Sequence, residues 1–147
     1  MAAFLPDTSC MVAAVCGWHV EHEAAVREIK TRLARGESLV LAAPSLVEAY
    51  AVLSRLPPPR RLTPAASWEL IRASFVDGAA KVVALEVGDY KRLLEEGAAR
   101  AVAGGAIYDA IIVACAVAAR AEVILTFNER HFHPLAPPGI RVVVPTA

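Results

Sequence analysis

The hydrophobic pattern of this chain is strongest in residues 104–132, GGAIYDAIIVACAVAARAEVILTFNERHF, where residues 110–119 are apolar without a break. A helix that is apolar on every face is typically buried, and about ten apolar residues are too few to span a bilayer, which needs about twenty. Asp109 directly precedes the run, and residues 123–125 follow it as a short apolar segment. We therefore predict a core helix with one carboxylate in its first turn, leading into a core strand.

The rest of the chain alternates short apolar runs with segments of helical spacing. The pattern predicts strands at residues 4–5, 39–42, 81–85, 123–125 and 141–144, and helices at residues 10–15, 21–35, 44–54, 64–75 and 90–102, the last one broken near Gly97. Strands that alternate with helices indicate βαβ units, and continuous apolar strands indicate a sheet covered on both faces. We expect an α/β fold with a mostly parallel sheet, and one domain over residues 1–147.

Composition and charge narrow the classes of partner. The chain has 147 residues, 56% of them hydrophobic, with 15 basic residues balanced by 15 acidic ones. Because the net charge is zero, the protein as a whole is not attracted to nucleic acid or to anionic membranes. A nucleic-acid site would have to come from local clustering of basic residues.

The cysteines and the N-terminal residues predict the cellular compartment of the protein. The three cysteines, Cys10, Cys16 and Cys115, are odd in number and lie in apolar segments. They are typical of buried free thiols in a reducing compartment. The first residues do not form a basic segment followed by a long apolar run, so we expect no signal peptide and a cytoplasmic protein.

Polar residues recur where the predicted strands end. Asp7 follows the first strand, Glu48 comes shortly after the second, Asp109 opens the helix before the fourth, and Asn128 follows the fourth. In open α/β sheets, sites form outside the carboxyl ends of the strands. Carboxylate and amide oxygens suit Mg²⁺ or Mn²⁺, which can hold a phosphate and activate water for phosphodiester cleavage.

Each of these residues also has a purely structural interpretation. Asp7 can be a helix N-cap, and Glu48 can close a capping box with Ser45. Asp109 can complement a helix dipole, and Asn128 can start a turn. Singly, the structural interpretations are favoured. The coincidence of four such positions favours a shared site, and the residues alone leave both interpretations open.

Arginines in loops are the candidates for contact with a nucleic acid. Arg60 and Arg61 follow a run of three prolines, and Arg130 lies just after Asn128. We consider them as RNA phosphate contacts, and the alternative is that they are simply solvated.

Four short motifs follow one another over essentially the whole chain: Asp7-Thr8-Ser9, Pro44-Ser45-Leu46-Val47-Glu48, Ile107-Tyr108-Asp109-Ala110 and Leu125-Thr126-Phe127-Asn128-Glu129-Arg130-His131-Phe132. Taken in this order, they resemble the PIN-domain family, and within it the VapC-type toxins of bacterial toxin–antitoxin pairs. The resemblance implies a three-layer α/β/α sandwich that cleaves RNA with Mg²⁺ or Mn²⁺.

The resemblance also implies roles for single residues. Asp7, Glu48 and Asp109 match the acidic metal ligands of the family, and Asn128 matches a fourth catalytic position that is often Asp. Ser9 and Thr126 match hydroxyl positions that line the site.

Partners follow from the same resemblance. It implies a metal-dependent endoribonuclease that acts as the toxin of a toxin–antitoxin pair, forms a homodimer and is held inactive by a cognate antitoxin. The alternative is a catalytically inactive PIN-like module that binds RNA or protein, because a fold does not fix a function.

Overall fold

Strands and helices alternate along residues 2–78 and 80–147, the part of the chain that this computed structural model describes. The strands are β1 (Ala3–Pro6), β2 (Ser38–Ala42), β3 (Lys81–Val83), β4 (Val123–Leu125) and β5 (Arg141–Val143). The helices are α1 (Thr8–Val15), α2 (His22–Ala34), α3 (Ala43–Ser54), α4 (Pro64–Ile71), α5 (Val87–Ala99), α6 (Ala106–Ala118) and α7 (Glu129–Phe132).

The sheet is parallel throughout and has the strand order β3-β2-β1-β4-β5. The chain moves outward from β1 through β2 to β3, and then returns to place β4 on the other side of β1. The strand order therefore reverses between β1 and β4. At such a switch point the connections leave in opposite directions, and a crevice opens at the carboxyl ends of the two strands.

Helices cover both faces of the sheet, because alternate strand residues point to opposite sides. Leu5, Val40 and Ile124 pack on one side, in a core cluster that α6 completes. Phe4, Leu41 and Leu125 belong to the clusters that α1, α2, α3 and α4 complete. The predicted α/β class, the mostly parallel sheet and the three-layer sandwich are confirmed.

The prediction that the central helix is buried on every side is wrong. α6 buries Ile112, Val113, Cys115 and Ala116, whereas Tyr108 is 68% exposed and Val117 is 52% exposed. The reason is its place in an outer layer: one face covers the sheet, while Tyr108 near the beginning of the helix and Val117 near its end are left exposed within the described residues.

Several element boundaries differ from the predicted ones. The helix predicted over residues 64–75 becomes a π-helical turn at Arg72–Val76. α5 begins at Val87, because Glu86 and Asp89 form a capping box there, and it continues through Gly97 where a break was expected. A Cβ at Gly97 would lie 3.1 Å from Cδ1 of Ile107, so this glycine permits close packing of α5 against α6.

Two further expectations concern thiols and membranes. The three cysteines, Cys10, Cys16 and Cys115, are buried and free, as predicted. Within residues 2–78 and 80–147, no helix combines the length and the apolar character needed to cross a membrane.

Candidate metal centre

Asp7 lies at the switch point, directly after β1. Its backbone N–H donates to the Leu125 carbonyl of β4 at 2.9 Å, which extends the pairing of the two strands by one residue. Its Oδ1 accepts the backbone N–H of Cys10 at 3.0 Å, so Asp7 is the N-cap of α1. The side chain is buried in the crevice, and the residue is 4% exposed.

Two hydroxyls hold the Asp7 carboxylate in place. Ser9 Oγ donates to Oδ1 and Thr126 Oγ1 donates to Oδ2, both at 2.6 Å. The same hydroxyls accept backbone N–H groups from the segment after β4: Phe127 donates to Ser9 at 3.1 Å, and Asn128 donates to Thr126 at 2.9 Å. This network joins the ends of β1 and β4 and fixes the carboxylate.

Asp109 is the second acid near this point. It lies in the first turn of α6, half-buried, and its Oδ2 is 3.8 Å from Nδ1 of His131. Burial raises the pKa of Asp109 above its ordinary 3.8, opposed by His131. Burial also raises the pKa of Asp7, opposed by the three hydrogen bonds and reinforced by the charge of Asp109. The negative charge of Asp109 is the smallest of these effects on Asp7, and burial is the largest effect on both carboxylates.

Glu48 lies in α3, and Asn128 lies between β4 and α7. Both are exposed, and within the described residues neither side chain forms a hydrogen bond or an ion pair. The capping box proposed for Glu48 does not form, since Ala42 is the N-cap of α3 and no side chain caps it. Asn128 occupies the N-cap position of α7, also without a side-chain cap bond.

The donors present fit a hard divalent cation. Each carboxylate oxygen can accept about two hydrogen bonds, so one acceptor position of Asp7 Oδ2 remains. Within the described residues, no group of three or more His, Cys, Asp or Glu side chains is close enough to hold a metal ion. Mg²⁺ is commonly bound by one or two carboxylates, with water and substrate phosphate completing its shell. Asp7 and Asp109 are the two carboxylates that would hold such an ion.

Two buried hydroxyls have no hydrogen-bond partner in the described residues. They are Oγ1 of Thr8, the residue after Asp7, and Oγ of Ser45, three residues before Glu48. Burying a hydroxyl without a partner costs about 1–3 kcal/mol, which bound water would recover.

A cleft of about 710 Å³ opens beside Asp109. Arg100, Arg130 and His131 line it with the small residues of the α5–α6 connection. Arg130 was predicted from its sequence position, whereas Arg100 and His131 were not. His131 is three residues after Asn128, a spacing that one helical turn would bring together, but no local signal links Arg100 to Asp109. Arg60 and Arg61 lie outside the cleft: Arg60 covers the Trp18 ring at 4.8 Å, and Arg61 donates to the Leu56 carbonyl.

This geometry defines a class of protein, namely three-layer α/β/α domains with an acidic site at the switch point of a parallel sheet. A family model described as "PIN domain" matches residues 4–136. Ribonuclease VapC40 of Mycobacterium tuberculosis is 41% identical over 120 residues, which cover 81% of this chain and 82% of that protein. The chain therefore belongs to the PIN-domain family.

Solved structures agree on the fold. Mycobacterium tuberculosis VapC20, described as a sarcin-ricin loop cleaving toxin, superposes with a TM-score of 0.67 at 15% identity, over 87% of this chain and 92% of that one. A toxin–antitoxin complex from Klebsiella pneumoniae contains a chain with a TM-score of 0.65 at 18% identity, over 99% and 98% of the two chains.

Proposed function

We propose that this protein is a metal-dependent endoribonuclease, the toxin of a toxin–antitoxin pair, that hydrolyses RNA phosphodiester bonds with Mg²⁺ or Mn²⁺. The observation that carries the proposal is the Asp7 carboxylate, held by Ser9 and Thr126 at the switch point within reach of the charge on Asp109. The 41% identity to a protein named as a ribonuclease supports the same activity.

The proposal assigns a task to each residue of the site. Asp7 and Asp109 hold the cation, and Glu48 joins them when substrate and ion are present. Asn128 orients the attacking water, while Ser9 and Thr126 keep Asp7 from rotating. A divalent ion held there would supply Lewis-acid polarisation of a phosphate oxygen and of the water.

The acid at position 109 gives the first test. Asp109→Asn should abolish metal-dependent cleavage of total RNA, because an amide is a poor ligand for a hard cation. The variant should remain folded and, without metal, be slightly more stable, because it removes a repulsive charge beside Asp7. The matched control is Glu122→Gln, an exposed acid just before β4, which should cleave like the parent.

Parallel reactions with EDTA establish the dependence on metal. Cleavage by the parent that persists in EDTA, or by Asp109→Asn at the parental rate, would contradict the assigned mechanism.

Two observations favour the rival function of a catalytically inactive RNA- or protein-binding module: Glu48 is exposed, and the described residues contain no group of three His, Cys, Asp or Glu side chains able to hold a metal ion. Thermal melts with Mn²⁺ separate the two. An ion that binds only the folded state stabilises it by about 2.7 kcal/mol at a hundred times its Kd. An unchanged melting temperature, together with intact RNA, would favour the inactive module.

We also propose that residues 1–147 form one PIN-like domain, that the protein is a cytoplasmic homodimer, and that a cognate antitoxin binds it. The exposed Val117 of α6 lines a groove of about 360 Å³ between α5 and α6, and this groove supports a self-association surface. Sedimentation at several protein concentrations tests the dimer, and a purely monomeric protein would contradict it.

A further inference from the structure

The cleft beside Asp109 carries a function beyond holding a metal ion. We propose that it binds the phosphate backbone of the RNA strand next to the cleavage position, through Arg100 and Arg130. This inference rests on the proposed ribonuclease activity and adds a substrate subsite to it. The volume of about 710 Å³ lies within the usual range for ligand sites, about 300–1,000 Å³.

The charges of these two arginines are not neutralised by carboxylates. Elsewhere in the chain, arginines form ion pairs: Arg32 with Glu28 and Glu37, and Arg72 with Glu69. In the described part of the chain, neither Arg100 nor Arg130 has such a pair. The cleft therefore holds two arginines beside the single carboxylate of Asp109, a local excess of positive charge in a protein whose net charge is zero.

The geometry keeps the Arg100 charge at the cleft. One Nη2–H donates to the Pro134 carbonyl at 3.1 Å, which ties the end of α5 to the segment after α7. A carbonyl is neutral, so the guanidinium keeps its full charge. Its remaining N–H groups can bind a phosphate in the bidentate manner that arginine favours.

The other lining residues favour a single RNA strand over an acidic peptide. His131 presents an exposed imidazole in the same cleft. Unpaired bases stack on aromatic side chains, including histidine, and on guanidinium planes. An acidic peptide can meet the arginines, but it has no base to stack. Asp109 in the wall of the cleft places a strand bound there beside the candidate metal centre.

The test is binding of a fluorescein-labelled oligoribonucleotide of about ten nucleotides to the full chain. Fluorescence anisotropy is measured in EDTA, so that no cleavage occurs, between about 50 and 200 mM salt. Arg100→Gln and Arg130→Gln should each weaken binding about tenfold, as expected for a lost charged hydrogen bond. Each should also make the slope of log K against log salt shallower by about 0.7, because one phosphate contact is lost.

The matched control is Arg27→Gln, which removes an exposed guanidinium from α2, a helix that does not line the cleft. It should leave affinity and slope unchanged. Because Arg100 also donates to the Pro134 carbonyl, Arg100→Gln could weaken binding by lowering the stability of the fold, and melting curves test this. Arg130→Gln removes a guanidinium from the cleft and leaves that hydrogen bond in place.

The outcomes separate this inference from the proposed activity. A parent that does not bind the oligonucleotide, arginine variants that match Arg27→Gln, or equal competition by oligoglutamate of the same charge would each overturn the RNA subsite. A parent that cleaves RNA while the arginine variants match Arg27→Gln keeps the activity and loses the subsite. A parent that binds with the expected slope and never cleaves keeps the subsite and loses the activity.

Discussion

For Asp7 the sequence presents a helix cap and a metal ligand as alternatives, and the structure shows that the cap leaves an acceptor position for a ligand. Its Oδ1 caps α1 and accepts the Ser9 hydroxyl, while its Oδ2 accepts only the Thr126 hydroxyl. The cap therefore uses one oxygen and leaves part of the other for a ligand. In a carboxylate with about four acceptor positions, a structural role does not exclude a chemical one. The cap instead fixes the direction of the remaining acceptor position.

The buried acids should make the stability of the metal-free protein depend on pH. The unfolded carboxyl titrates near 3.8, and the folded pKa of both Asp7 and Asp109 is higher. The folded state thus binds more protons, and its stability falls as pH rises from about 4 through the folded pKa values. Chemical denaturation in EDTA across this range should show Asp109→Asn gaining on the parent as pH rises.

The control for the pH experiment is Glu122→Gln, which should follow the parent at every pH. A difference between the parent and Asp109→Asn that stays constant with pH, or that shrinks as pH rises, would show that the pKa of Asp109 is not raised in the folded state.

Substitutions of Glu48 should reduce activity without changing the stability of the fold. Because its side chain is exposed and caps nothing, Glu48→Gln and Glu48→Ala should each change the free energy of unfolding by less than about 0.5 kcal/mol. Both should lose most Mn²⁺ affinity and RNA cleavage if Glu48 completes the metal site. Denaturant melts and Mn²⁺ calorimetry on the two variants provide the measurement. Variants that bind Mn²⁺ and cleave RNA like the parent would remove Glu48 from the site.

The end of the first strand pointed to Asp7, because the position of a strand end is set by local pattern, whereas Ser9 and Thr126 were expected only from the resemblance to the PIN-domain family. In the structure both hydroxyls donate to the Asp7 carboxylate. Arg100 was missed because its link to the cleft is made across 34 residues, to Pro134. Contacts of that kind depend on the tertiary fold and leave no periodic signal in the sequence.

At the scale of elements, the direction in which the chain leaves α6 toward β4 depends on Arg120, whose backbone is in the left-handed region. Arg120 has φ +56°, Ala121 N–H donates to the Ala116 carbonyl at 2.9 Å, and Arg120 N–H donates to the Val117 carbonyl at 3.0 Å. This is a Schellman ending, in which glycine is the usual residue at the left-handed position. The turn directs the chain into the strand that carries Thr126.

Arg120→Gly should therefore stabilise the protein. A non-glycine residue in the left-handed region costs about 1–2 kcal/mol, and the greater freedom of glycine in the unfolded chain offsets part of the gain. We expect a net stabilisation of about 0.5–1 kcal/mol by denaturant unfolding. Arg120→Ala, which keeps the strain, should stay within about 0.5 kcal/mol of the parent. Equal stability of the two variants would contradict this account.

The exposed residues of α6 show what the hydrophobic pattern of a helix could not predict. An apolar run specifies that a helix avoids water, but it does not say whether the cover comes from the same chain. Cys115 and Ala116 face the sheet, whereas Val117 does not. The error therefore lies in the assumption that one chain must cover all its apolar helix faces.

At the scale of the whole molecule, strand order accounts for most of the site. Placing β4 beside β1 brings together residues that are 119 positions apart, Asp7 and Thr126. Alternation of strands and helices predicted the parallel sheet. That alternation leaves the order of the strands open, because several orders bury the same apolar faces, and only the tertiary structure decides among them.

The balance of charge over the whole molecule leads to a prediction about inhibition. The acidic centre and the arginine-lined cleft are neighbours in a chain of zero net charge. A partner segment that presents Arg or Lys would pair with the carboxylates in the place of a cation, because bidentate arginine–carboxylate bonds are strong. We expect such an antitoxin segment to compete with Mn²⁺, so that its apparent Kd rises in proportion to the ion concentration above the Kd of Mn²⁺.

Calorimetric titration of the co-purified partner into the parent, with and without Mn²⁺, measures this competition. The triple variant Asp7→Asn, Glu48→Gln, Asp109→Asn should bind the partner more weakly and lose the dependence on Mn²⁺. A control triple variant of exposed acids outside the site, Glu23→Gln, Glu95→Gln, Glu122→Gln, makes the same change in net charge and should behave like the parent. If the site variant binds the partner as tightly as the control variant does, the inhibitor does not reach the carboxylates and must act elsewhere on the molecule.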